Sequence, residues 1–192
     1  FLPLWVILPG EKRSCMAAHE KIVVLGPEST GKSTLCASLA QHFHCSWVPE
    51  FARRYLLELG RPYNYDDLLI IAKGQLKAED EMAQETKGKT LFIDTDMYVM
   101  KVWCEFVFGK CHSFILDQIV ERKYDLYLLC NTDLPWVKDE LREYPDLENR
   151  NKLFRIYKDL MINQQTPWVE IRGRDEERVQ QAIGAVNHFP MN

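Results

Sequence analysis

A chain of 192 residues with 46% hydrophobic and 27% charged side chains has the composition of one core-forming globular domain; a disordered or collagen-like polymer is excluded, and little room is left for two full domains. Its 24 basic and 28 acidic side chains give a net charge of −4, which argues against a protein built to neutralise nucleic-acid phosphates. The six cysteines, at positions 15, 36, 45, 104, 111 and 130, form no C-x-x-C pair, so zinc-site and thioredoxin-like spacings are missing and reduced thiols in a cytoplasmic protein are expected.

Residues 1–9 are apolar but contain two prolines and lack the basic stretch that precedes a signal-peptide core. At about half of the roughly 20 residues needed to cross a bilayer, the run predicts no membrane partner. Residues 1–20 are read as a leader or disordered tail. Patterning begins at Lys21-Ile-Val-Val-Leu-Gly26, a run suited to a strand covered on both faces. Ser33 to His44 carries Leu35, Leu39 and Phe43 at helical spacing. A short strand follows at 46–48, a helix at 50–59 ended by Gly60 and Pro62, and a longer helix at 65–86 opened by Asn64. Then come a strand at 91–94, helices at 97–109 and 114–122, a strand at 125–130, a helix at 151–162, a strand at 168–172 and a last helix at 175–186. Strands alternating with helices predict an α/β, three-layer fold with a parallel sheet of about five strands and helices on both faces. Residues 21–192 are expected to form one domain, with a polar lid at about 135–151.

Gly26-Pro-Glu28-Ser29-Thr30-Gly31-Lys32-Ser33 matches G-x-x-x-x-G-K-[ST] between a strand and a helix, where the motif has physical meaning. A random chain of this length shows the pattern in about one case in a hundred. Glycines let the main chain wrap phosphate oxygens, and the following helix adds its positive dipole end. Residues Gly26, Glu28, Ser29, Thr30, Gly31, Lys32, Ser33 and Thr34 are therefore expected to bind ATP, with Lys32 on the β and γ phosphates and the Ser33 hydroxyl on Mg²⁺.

D-x-x-G and [NT]-K-x-D do not occur, which disfavours a signalling GTPase, and the chain is short for a mechanical ATPase. A small-molecule kinase remains, its second substrate lying across the sheet's carboxyl edge. Three segments suit that. Glu50 with Arg53 or Arg54 follows a strand end and can face an acceptor, or these residues form salt bridges on a solvated helix. Asp94 ends a strand where it can join the Mg²⁺ shell or accept a proton; Asp96 can bond a ribose, cap the next helix, or both. Asp133 to Arg142, with Arg150 and Arg155 beyond, is either a solvated face or a lid whose arginines, Arg142 and Arg150 first, stabilise the transferring phosphoryl group.

G-P-E-S-T-G-K-S-T at 26–34, V-P-E-F-A-R-R-Y at 48–55, F-I-D-T-D at 92–96, and Y-D-L-Y-L-L with D-L-P-W-V-K-D-E-L-R within 124–142 together resemble the ribosylnicotinamide kinase domain of the NadR family, over about Lys21 to Val186. The resemblance implies a P-loop kinase that uses Mg²⁺ and ATP to phosphorylate the 5′-hydroxyl of nicotinamide riboside, a step of NAD salvage. Glu140 stands where family members often carry glycine, and no H-x-G-H adenylyltransferase signature occurs, so only the kinase step is implied.

A pocket of Glu50, Asp94 and Asp96 favours such a cationic acceptor, and Tyr55, Tyr98 or Trp103 can cover a pyridinium face at about 0.5–2 kcal/mol per contact. Trp103, at helical spacing from Val99 and Val107, also suits the core. Arg174, after the last strand, is the candidate for lying against adenine. The expected chemistry has Glu50, Arg53 and Asp96 aligning the hydroxyl, Asp94 or alternatively Glu50 accepting its proton, and Lys32, Arg142 and Arg150 stabilising charge. Other readings are a kinase for another nucleoside or nucleotide, and a non-catalytic ATP sensor. Partners are thus ATP and a nucleoside, not nucleic acid; a homo-oligomer is compatible with all three.

Overall fold

Runs rich in valine, isoleucine and leucine without polar alternation belong to strands covered on both faces, and they supply the sheet here. The computed structural model describes residues 19–86, 88–138, 141 and 146–189. In chain order the elements are β1 (Glu20–Leu25), α1 (Lys32–Phe43), β2 (Ser46–Val48), α2 (Phe51–Leu59), α3 (Tyr65–Glu85), β3 (Thr90–Asp94), α4 (Met97–Phe108), α5 (Ser113–Glu121), β4 (Leu126–Cys130), α6 (Leu147–Asn163), β5 (Trp168–Ile171) and α7 (Asp175–His188). All four neighbouring pairs are parallel, in the order β2-β3-β1-β4-β5. The five-stranded parallel α/β fold expected from the alternation is the one observed.

Side chains alternate across the sheet into two cores. Val24, Phe92 and Leu128 pack under Leu35 and Leu39 of α1 and Ile183 of α7. Val23, Ile93 and Leu129 pack under Val99 and Val102 of α4 and Leu153 and Tyr157 of α6. A third cluster, including Leu68, Ile71, Met100 and Ile115, joins α2, α3, α4 and α5 to one another and carries one wall of the cavity described below.

Most boundaries fall within two residues of expectation. The exception is α6, which starts at Leu147 rather than Asn151: the Asp146 carboxylate accepts the Asn149 amide at 2.7 Å and caps a turn that the sequence reading had placed in the polar stretch. Among the described residues no helix is long and apolar enough to cross a membrane.

Candidate active site

The carboxyl edge of a doubly wound sheet is where its loops can surround a ligand. The loop from β1 to α1 lies there, in a conformation only certain residues tolerate. Gly26 has φ 142°, and a Cβ on it would sit 2.8 Å from the Cys130 carbonyl of β4. Gly31, at φ 75°, starts α1 with no side-chain cap, so the first turn meets the cavity as main chain. Ser29 adopts φ 56°, and the Thr30 hydroxyl donates to the Pro27 carbonyl at 2.7 Å. Lys32 Nζ donates to the same carbonyl at 3.0 Å.

Three groups brace this loop. The buried Arg178 of α7 donates to the carbonyls of Thr30 at 2.9 Å, Asn131 at 3.0 Å and Gly173 at 2.8 Å, and to Asp133 Oδ1 at 2.7 Å. Arg150 of α6 is buried and donates to the carbonyls of Ser29 at 3.2 Å and Leu134 at 3.0 Å. From the segment after β4, the Trp136 indole N–H donates to Glu28 Oε1 at 3.3 Å and the Val137 amide to Ser29 Oγ at 3.0 Å.

At the end of β3, Asp94 is fully buried and its Oδ2 accepts the Ser33 hydroxyl at 2.5 Å. Burial pushes its carboxyl above the ordinary range, while Lys32 and the hydroxyls of Ser33 and Thr95 oppose that rise. The chain then turns through Thr95 at φ 79°, an uncommon conformation for a side chain branched at Cβ.

A cavity of about 400 Å³ runs from this loop to a second wall. Glu50, Arg53, Arg61, Tyr63, Trp103, Phe106 and Tyr157 line that wall, supplied by α2, the α2–α3 loop, α4 and α6. Tyr63 and Trp103 meet edge to face at 5.3 Å, and the indole N–H donates to the tyrosine oxygen at 3.1 Å. The α2–α3 loop is tied down by Asp67, which accepts both Arg61 amino groups at 2.7 and 2.8 Å, the Tyr55 hydroxyl at 2.7 Å and the Asn64 amide at 2.8 Å. The Arg61 guanidinium above all, against the opposing effect of burial, holds the Asp67 carboxyl well below its usual range.

The structure brings most of the expected site residues together: Gly26 through Thr34, Glu50, Arg53 and Trp103 all line the one cavity, and Asp94 lies beneath it on Ser33. Others lie elsewhere. Asp96 is buried and caps α4 by accepting the amides of Tyr98 at 3.1 Å and Val99 at 3.3 Å, and burial pushes its carboxyl up to about 7. Tyr55 is turned onto Asp67, and Tyr98 packs edge to face on Tyr127 at 5.8 Å. Arg174 is exposed at the start of α7, and Arg150 reaches main-chain carbonyls rather than the open cavity. Arg142 lies outside the described residues. Sequence reasoning missed Arg178, Arg61 and Tyr63. Arg178 looked like one more charge near the start of an acidic helix, while the Arg61-Pro62-Tyr63-Asn64 loop carried no spacing that points to a ligand.

A family model described as AAA domain matches residues 21–178. The chain is 29% identical over 175 residues to the trifunctional NAD biosynthesis/regulator protein NadR of Escherichia coli strain K12, covering 89% of this chain and 42% of that protein. The NadR of Salmonella typhimurium matches with the same identity and coverage. The chain thus spans less than half the length of the curated relatives it matches. Among solved structures, a NadR protein in complex with NR aligns with a TM-score of 0.74 at 22% identity, over 91% of this chain and 52% of that one. Thymidylate kinase from Ehrlichia chaffeensis aligns with a TM-score of 0.63 at 14% identity, over 88% and 99%. At such identities the alignments establish a shared P-loop kinase-like fold. The resemblance to NadR anticipated from the quoted sequence strings is borne out by the curated relatives and by the solved structures.

Proposed function

We propose, from the premise that this chain belongs to the AAA domain family, that it is a kinase-type phosphotransferase acting on a nucleoside, with ATP as donor and the 5′-hydroxyl of nicotinamide riboside as acceptor. The observation that carries this reading is the single cavity that joins a phosphate-shaped main-chain loop to a wall of aromatic and charged side chains. The matched relatives are named for NAD biosynthesis, and one matched structure holds NR, which favours this acceptor among nucleosides. Glu50 puts a carboxylate on the same wall as Trp103 and Tyr63, an arrangement suited to a flat cation.

In this reading the amides of residues 26–34 and the Lys32 ammonium hold the triphosphate. Ser33 and Asp94 form an all-oxygen donor pair, the type a hard divalent cation takes when substrate phosphates and water complete its shell. Mg²⁺ bound there would neutralise charge on the phosphates. Asp94 is placed to accept a proton at its carboxylate, with Glu50 as the alternative. Arg53 helps align the acceptor; of the lid expected at about 135–151, Trp136 and Val137 rest on Glu28 and Ser29, residues from Leu147 onward belong to α6, and 139–140 and 142–145 lie outside the described residues. Because phosphoryl transfer has a loose transition state, positioning and charge stabilisation supply most of the acceleration.

A nucleotide acceptor is the second reading, favoured by the guanidiniums of Arg53 and Arg61 on the cavity wall. Incubation with Mg²⁺, ATP and a panel of nicotinamide riboside, thymidine, cytidine, adenosine and thymidylate, followed by mass analysis of the products, separates them. Phosphorylated nicotinamide riboside at the highest kcat/KM supports the proposal. ATP consumption with none of these acceptors overturns it.

A further inference from the structure

The apolar face of α3 is interrupted by one amide. Leu68, Ile71, Ala72 and Leu76 are buried, and Gln75 among them is only 1% exposed. A side-chain amide in such a place must find partners to offset its lost hydration. Gln75 Oε1 accepts the Phe51 amide at 2.7 Å, and its Nε2 donates to the Asp94 carbonyl at 3.2 Å. The orientation of the amide is fixed by these partners, since Phe51 N–H can only donate and the Asp94 carbonyl can only accept.

Both partners are main chain, and each belongs to one end of the cavity. Phe51 follows Glu50 and opens α2, while Asp94 ends β3 beneath Ser33. Helix α2 has no side-chain cap of its own at Glu50, so one of its unpaired amides is satisfied from α3. The preceding residue is glycine for a matching reason: a Cβ on Gly74 would lie 2.3 Å from Phe51 Cε1. The Gly74-Gln75 pair therefore lets the start of α2 approach α3 closely and fastens it there.

We propose that Gln75 is a positioning residue that sets the separation between Glu50, at the acceptor end, and Asp94, at the donor end. This rests on the phosphotransfer reading above. One acceptor and one donor pointing opposite ways are needed, and of side chains this length the amide has both at every pH, whereas a carboxyl has both only while protonated. Gln75→Glu keeps an oxygen for Phe51 and, once ionised, sets a second oxygen against the Asp94 carbonyl, while its protonated form can still donate there. Gln75→Met keeps the volume and loses both bonds.

The test measures kcat and KM for nicotinamide riboside, the Kd for Mg²⁺ and ATP, and hydrogen exchange of the Phe51 amide by NMR, in the full chain and normalised to folded protein. In Gln75→Met, kcat/KM for the acceptor should fall about 10- to 100-fold, since misplacing reacting groups by about 1 Å costs up to that much. The Kd for ATP should stay within about twofold, which separates positioning from general damage. Phe51 exchange should speed up in Gln75→Met and stay slow in Gln75→Glu, whose acceptor kcat/KM should fall as pH rises and the new carboxyl ionises. Gly74→Ala, which displaces Phe51 by another route, should reproduce the kinetic pattern if Gln75→Met does not fold. Unchanged acceptor kcat/KM in the folded variants, or a loss shared equally by ATP binding, overturns the proposal. If the unaltered protein phosphorylates no nucleoside, the proposed function fails, and the Phe51 exchange rates still decide whether Gln75 makes this link.

Discussion

The two ends of the cavity are built from different materials. The end formed by the glycine loop is main chain: glycines at φ 142° and 75°, a turn through Ser29, and the first amides of α1, braced by Arg178 and Arg150. The far end is side chain: Glu50, Arg53, Tyr63, Trp103 and Phe106 from three separate segments, with Asp67 holding one of those segments through Arg61. A main-chain site fails when the backbone can no longer take its shape. A side-chain site loses affinity one contact at a time.

That contrast can be broken first at Lys32. Lys32→Ala should lower turnover by about 10³-fold or more, as expected for a charged group acting on the transferring phosphoryl, and ADP release under saturating acceptor measures it. Retained turnover would mean that the donor end does not work through this ammonium. Arg178→Met should come next, at about 3 kcal/mol of stability, because it strips donors from three carbonyls and leaves Asp133 without its ion pair; partial exposure of Asp133 keeps the loss at the low end for such pairs. Urea unfolding reads the loss, and ATP affinity should fall with it.

Trp103→Ala sharpens the comparison from the other side. KM for the acceptor should rise about tenfold, worth about 1.4 kcal/mol, while KM for ATP stays put. A change in both would show that the two ends are not separable. The smallest effect concerns Asp67→Asn, at about 1 kcal/mol near neutrality, because Arg61 is half exposed and its pairing is screened. The folded carboxyl ionises below its ordinary range, so the unfolded chain binds more protons in acid. The stability this carboxylate adds is therefore complete above about pH 5 and is lost progressively as pH falls through the unfolded value toward the lower folded one. Unfolding of both proteins at pH 7 and at pH 3 should show the gap narrowing in acid; a constant gap would mean the pairing adds nothing.

The same contrast explains what could be read in the sequence. The donor loop was legible because its conformation dictates residue type: a glycine where φ is 142°, another where α1 begins, and lysine and serine at the first helical positions. Helix α3 was legible because Asn64 and Asp67 form a reciprocal cap at its start. The α6 start was hidden, since Asp146 sits among charges of both signs and its capping role has no spacing of its own. Tyr63 and Trp103 are forty positions apart, and only the packing of the α2–α3 loop on α4 joins them. Asp96 was read as a cap, a ribose ligand, or both; in the folded chain it accepts the amides of Tyr98 and Val99 as the cap of α4 and does not line the cavity.

The close fit of Gly26 on Cys130 has a practical corollary. Cys130 and Cys36 are fully buried beside the glycine loop, and burial pushes both thiols up, so both should label slowly while the loop is seated. Alkylation of Cys130 is expected to need local opening of this region, including the turn that packs on β4. The labelling rate of that sulfur, followed by mass spectrometry with and without added ATP, should therefore read how often the loop region opens and whether the nucleotide slows it.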